Sequence, residues 1–225
     1  MTYLGIDGCR GGWIVAMIDE DGKLSHLVMS TLNDLTHISF NLALIDIPLE
    51  FADQCYRPCE TAAQLLLGPR KRASIFMTPV RSSVFAKDYM EANQLNRQHL
   101  GKGLSKQSWN ICHKIKEATL FITQQPDVPL FEAHPELSFY FLNNREPLLS
   151  KKSLPEGAHD RLKIISESDS NYIQVITDTL RTTKRKAVKL DDIIDATILA
   201  IRAKAGNIQT VPANKRIGDR DAILF

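Results

Sequence analysis

The chain has no apolar run near the roughly 18 residues that a membrane span requires, and its first residues enter an apolar strand instead of a basic stretch and signal core. A cytoplasmic protein with no membrane partner is the expectation. No two of its 4 cysteines, Cys9, Cys55, Cys59 and Cys112, have C-x-x-C spacing, so reduced thiols are expected. Cys55 and Cys59 with a histidine are the one arrangement that suggests zinc. Repeats and low-complexity tracts are absent, which excludes solenoids and confines disorder to loops. An excess of charge of one sign is lacking too. With 28 basic and 26 acidic residues the net charge is only +2, and the pI near 8.3 does not announce a nucleic-acid binder by composition.

What is present suits one globular domain over residues 1–225, with 44% hydrophobic and 24% charged residues. Tyr3 to Asp7 reads as a buried strand, Gly8 to Gly12 as a turn, and Trp13 to Ile18 as a second strand. Asp21-Gly22 is a hairpin signal, so Leu24 to Met29 returns as a third. Leu32 to Ile38 suits a short helix. Leu42 to Ile47 is apolar at nearly every position, as in a strand covered on both faces, and Pro48 ends it. Arg57 to Leu67 reads as a helix stopped by Gly68-Pro69. From Ser105 to Thr123 the residues Trp109, Cys112, Ile115, Thr119 and Ile122 recur at helical steps. Val128 to Ala133 is a further buried strand, Pro135 is placed to start a helix, and Leu190 to Ala205 is a last helix closed by Gly206. Three antiparallel strands followed by alternating helices and parallel strands predict an α/β fold with a mixed sheet and helices on both faces. That is the layout of the ribonuclease H-like fold.

The acids at the strand ends carry the chemistry. Asp7 ends a buried strand, and Asp46 is the only ionisable residue in the run Leu42 to Pro48, so each needs backbone donors, a basic partner or a metal. Turn capping would satisfy either one alone. Glu132 repeats the pattern before His134, itself a leaving-group contact or a turn residue. Asp191 suits the N-terminus of the last helix, while Asp192 and Asp195, three apart, share one face of it. Carboxylates converging from strands and helix would repel unless a cation cancels their charge. Oxygen-only ligands favour Mg²⁺ or Mn²⁺, a chemistry suited to phosphodiester cleavage. The candidate metal and catalytic residues are therefore Asp7, Asp46, Asp192 and Asp195, with Glu132 as a further metal ligand. Arg10, Arg70 with Lys71 and Arg72, Lys106, Lys114, His134 and the segment Arg181 to Lys186 are candidate phosphate contacts. Lys114 and Glu117 also have the spacing of an ordinary helical ion pair.

In order along the chain, GIDGCRGGW (5–13), IDIP (45–48), LGPRKRASIF (67–76), GKGLSKQSWNICHKIKE (101–117), FEAHPELSF (131–139) and DDIIDA (191–196) resemble the domain of unknown function 429 family. That family is described as predicted nucleases of ribonuclease H fold, and the resemblance spans nearly the whole chain. The acidic pattern also resembles the RuvC-type resolvases, whose acids on the first and fourth strands join a D-x-x-D on the last helix. Asp7, Asp46, Asp192 and Asp195 occupy the matching places. The resemblance implies a metal-dependent nuclease acting on DNA or RNA. Cys59 and Glu60, and the segment Thr78 to Arg81, depart from the family's usual pattern and bear on substrate preference. The alternatives are a small-molecule phosphate-ester or nucleotide hydrolase and a non-catalytic nucleic-acid-binding module. An ATP-binding relative of actin and the sugar kinases needs a second domain and a second phosphate hairpin, which the chain does not show.

Overall fold

The computed structural model describes residues 1–225. Its first three strands, β1 (Thr2–Cys9), β2 (Gly12–Asp19) and β3 (Leu24–Met29), form an antiparallel meander. Gly12 starts β2 at φ +123°, where a Cβ would lie 2.1 Å from the Met29 carbonyl oxygen, so only glycine fits this crossing of the turn. Leu32–His37 is a single 3₁₀ segment in place of the expected short helix. β4 (Leu42–Ile45) and β5 (Leu130–Glu132) then add in parallel, giving the order β3-β2-β1-β4-β5. The mixed five-stranded sheet flanked by helices is a ribonuclease H-like fold.

Alternation along the strands sorts their side chains onto two faces. Leu4 and Ile6 of β1, with Ala43 and Ile45 of β4, meet α4 (Lys106–Gln124) through Cys112, Ile115 and Phe121. The other parity carries Leu44, Ile14 and Ala16 against α8 (Leu190–Ala205). At Gly5 the helix and strand touch backbone to backbone: a Cβ there would sit 2.0 Å from the Ala196 carbonyl oxygen and 2.3 Å from the Ala200 amide nitrogen. This close approach draws the first turns of α8 over the carboxyl end of β1.

The remaining helices are α1 (Pro58–Leu67), the one-turn α2 (Arg81–Val84), α3 (Tyr89–Leu100), α5 (Pro135–Leu142), α6 (Pro155–Ser168) and α7 (Asn171–Thr182). Of these, α3 is announced by Asp88, whose side chain accepts the Glu91 amide as an N-cap, and α7 has a strongly amphipathic sequence. A short ribbon pairs β6 (Thr210–Val211) with β7 (Ile223–Leu224). The expected helices at 57–67, 105–123 and 190–205 and the strands are all formed within a few residues of their expected ends. β4 stops at Ile45, two residues early, because the chain turns at Pro48 after the Asp46 amide bonds the Ile6 carbonyl at 2.9 Å. No helix is long and apolar enough to cross a membrane.

Candidate active site

Asp7 has the parity of Gly5 and so faces the start of α8. Asp46 has the parity of Leu44 and faces the same side, one strand over, because Ile6 and Ile45 are register partners in the parallel pair. Asp192 and Asp195 occupy the first two turns of α8 directly above. Local sequence therefore aims four carboxylates at one place.

The electrostatics record this convergence. Asp7 is held well above the usual carboxylate range, first by burial and then by the negative charges of Asp46 and Asp195, with a smaller push from Asp192. Its Oδ1 accepts the Gly8 amide at 2.7 Å, the turn cap expected of an Asp-Gly step. Asp195, 3% exposed in its side chain, is pushed up to about 6 by burial, and the negative charge of Asp46 adds to the push. Asp192 is raised by burial while its Oδ2 accepts the Lys189 amide at 2.9 Å.

One lysine bonds an acid of the cluster directly, and sequence reasoning missed it. Lys152, in the loop before α6, places its Nζ 2.8 Å from Asp195 Oδ2. Burial works against its charge, but Asp195, Asp46 and Asp7 outweigh it and hold the ammonium above its ordinary range. Nothing in Ser150-Lys151-Lys152-Ser153 distinguishes this lysine from a solvated one; the only hint was the demand of the acids for a counter-charge. As the side chains are placed, no three histidine, cysteine or acidic groups are poised together to hold a metal ion. The carboxylates interact with one another, and Asp195 is also bonded to the Lys152 ammonium.

Glu132 does not join the cluster. It pairs in register with Ile45 and shares the parity of Leu130, so it points to the α4 side of the sheet, away from Asp46. There the buried Arg57 grips it with two bonds of 2.8 and 2.7 Å, and its Oε2 also accepts the Leu49 amide at 3.0 Å. The expectation that Glu132 is a metal ligand is therefore corrected: its oxygens are taken, and it clamps the loop that follows Asp46. Glu60 lies beside it, with Oε1 accepting from Arg57 Nη1 and from the Thr78 amide and hydroxyl, and with Oε2 buried and unpartnered.

The basic candidates divide. Lys114 lies with Nζ 4.2 Å from the Trp13 ring centroid and donates to the Gly12 carbonyl, so it braces the β1–β2 turn instead of facing solvent. Glu117 accepts the Leu32 amide at 2.7 Å and is not its ion-pair partner. His134 is a helix cap: Nδ1 accepts the Glu136 amide at 3.1 Å, which leaves Nε2–H to donate to the Ser74 carbonyl at 3.2 Å. Lys71 bonds Glu136 and the Ser150 carbonyl, while Arg70 and Lys106 are exposed in the loop after α1 and at the start of α4. Arg10 is exposed in the turn three residues beyond Asp7. Beside it lies the end of the basic segment after α7, since the Gly11 amide bonds the Ala187 carbonyl at 2.9 Å. Lys184, Arg185 and Lys186 are exposed there. Arg10 and this segment thus form a basic rim next to the acids. Cys55 is exposed and Cys59 is buried, and all four thiols are free.

Comparison with curated proteins and with solved structures finds no match. A family profile described as "Protein of unknown function (DUF429)" matches residues 5–217, nearly the whole chain. The chain therefore belongs to the DUF429 family of proteins of unknown function.

Proposed function

We propose that this protein is a Mg²⁺- or Mn²⁺-dependent nuclease that hydrolyses phosphodiester bonds of nucleic acid at Asp7, Asp46, Asp192 and Asp195. The observation that carries the reading is Asp7: a largely desolvated strand-end carboxylate that feels the charges of Asp46, Asp195 and Asp192, with one half-exposed lysine bonded directly to one of the four acids. The donor set fits the metal in chemistry, since every group is a hard carboxylate oxygen. Asp7, Asp46 and Asp192 would hold it, after side-chain adjustments that bring three oxygens to one point. When bound, the ion supplies a water of lowered pKa and a positive charge against the phosphate. Asp7 Oδ1 stays tied to the Gly8 amide, which fixes its second oxygen toward the cluster. Arg10 and Lys184 to Lys186 flank the acids and would seat the phosphodiester backbone beside them.

Incubation of the full chain with labelled single- and double-stranded DNA and RNA, in Mn²⁺ and in chelator, tests the reading. Cleavage in Mn²⁺ only, lost by about 100-fold or more in Asp7→Asn and Asp46→Asn, is expected for an essential metal-site carboxylate. Binding measured in Ca²⁺ between about 50 and 200 mM salt should weaken with a slope equivalent to roughly three to six phosphates. A second reading, hydrolysis of a small phosphate ester, is favoured by one observation: Lys71 and Lys114 are engaged internally, which shrinks the basic surface near the acids to one rim. Metal-dependent turnover of small phosphate esters, with nucleic acid neither bound nor cut, would decide for it. Binding without turnover would leave a nucleic-acid-binding module.

A further inference from the structure

The loop that carries Lys152 is built to hold it. Lys71 Nζ donates to the Ser150 carbonyl at 3.3 Å on one side of it, and the Leu154 amide bonds the Lys151 carbonyl at 3.0 Å on the other. Gly157, in the first turn of α6, lies so close that a Cβ would sit 2.0 Å from the Lys151 carbonyl oxygen. Arg161, 1% exposed, donates to the Gly157 carbonyl at 2.8 Å and pairs with Glu136, which also accepts from Lys71. One buried trio, Lys71, Glu136 and Arg161, thus pins the backbone on both sides of Lys152, and the side chain spans from that anchored loop to Asp195.

The position at Asp195 matters for how many ions the site can take. Paired ions in two-metal phosphodiesterase sites lie about 4 Å apart. An ion bound through Asp195 Oδ2 would have to share that oxygen with the Lys152 ammonium, which lies 2.8 Å from it. Two divalent ions with Lys152 retained would bring five positive charges to four carboxylates, and Lys189 beside Asp192 adds to that excess. We propose that Lys152 is the second cation of this site: the chain binds one divalent ion, and the ammonium permanently supplies at Asp195 the charge that a second ion would bring. The proposal rests on the metal-dependent reading above.

Titration of the full chain with Mn²⁺ by calorimetry, read as stoichiometry, tests it. Wild type should bind one ion per chain, Lys152→Arg one, and Lys152→Gln two. Lys152 is half-exposed, so neither variant should unfold, and melting curves verify this. Two ions in wild type would overturn the proposal, because Lys152 would then be displaced. One ion in Lys152→Gln would also overturn it, because the lysine would then hold no second position. Absence of Mn²⁺ binding in all three proteins is a different failure: it removes the metal reading itself and this proposal with it.

Discussion

The two ends of the parallel strands β4 and β5 solve the same problem in opposite ways. Each places a carboxylate at a buried strand terminus, Asp46 on one face of the sheet and Glu132 on the other. Around Glu132, the guanidinium of Arg57, itself only 4% exposed, supplies two short bonds, and a backbone amide completes the set. Around Asp46 and Asp7 the one lysine bonded directly to an acid is Lys152, and it comes from a half-exposed side chain. A carboxylate held by a buried arginine and an amide is a structural clamp. The acids at the other site have no buried arginine to hold them; burial and mutual repulsion push Asp7 and Asp195 toward the neutral form.

The largest effect that would sharpen this contrast is the loss of Arg57. Arg57→Ala leaves Glu132 and Glu60 buried without their cation and should cost about 3–5 kcal/mol of unfolding free energy, read from urea melts. A loss below about 1 kcal/mol would show that Glu132 is not held by this pair. The contrast also has a pH signature. Burial pushes Glu60 up from 4.5 to about 7, against Arg57 and Thr78. Its folded pKa thus exceeds the unfolded one, so its contribution to stability is full below about 4.5 and is lost as pH rises through about 7. The loss is up to about 3 kcal/mol, from the 1.36 kcal/mol per pH unit of linkage. His26, between Thr179 and Thr197, is pushed down to about 4 by burial and adds stability as pH rises from there to its ordinary range. The wild-type curve alone mixes these with Asp195, pushed up to about 6, and with other raised acids, so Glu60→Gln is compared with wild type across pH 4–8. Their stability difference should change steadily over this window; a constant difference would remove Glu60 from the account.

On the acidic side, Gly5→Ala forces a methyl into the backbone of α8 and should cost about 1–3 kcal/mol, because overpacked contacts relax only by moving the helix. It should also weaken Mn²⁺ binding, since Asp192 and Asp195 ride on that helix. Unchanged stability and binding would mean that α8 is not seated as described. The smallest effect is the most diagnostic. Asp7→Asn keeps the acceptor for the Gly8 amide and removes one of four repelling charges, so without metal the variant should be stabilised by about 1 kcal/mol. Destabilisation by several kcal/mol would make Asp7 a structural cap, equivalent to Glu132 after all.

Much of the fold could be read from the sequence because its signals are local. Asp21-Gly22 predicts the hairpin, the apolar steps from Trp109 to Ile122 predict α4, and a run as apolar as LALI admits only a strand covered on both faces. Helices α3, α6 and α7 were not anticipated, although α7 has a strongly amphipathic sequence. In the candidate site, parity explains why Asp7 and Asp46 share a face and Glu132 does not. Asp7 and Asp46 are each two residues beyond a core residue or close-contact glycine on the α8 face, whereas Glu132 is two residues beyond Leu130, on the opposite one. The register that relates β5 to β4 is not written in β5 itself.

By itself, then, the sequence determined which acids end which strands, that Asp192 and Asp195 share a helical face, and that Gly5, Gly8 and Gly12 line the chain around Asp7. These depend on periods of two and 3.6 residues, which a single segment expresses without help from the rest. Only the tertiary structure decided which cation meets which acid. Arg57 reaches Glu132 across 75 positions, and Lys152 reaches Asp195 across 43. Such pairs form only where packing has already met the entropy of closing those loops, and lysines elsewhere in the chain look no different from Lys152 until the fold has brought one of them to a buried carboxylate.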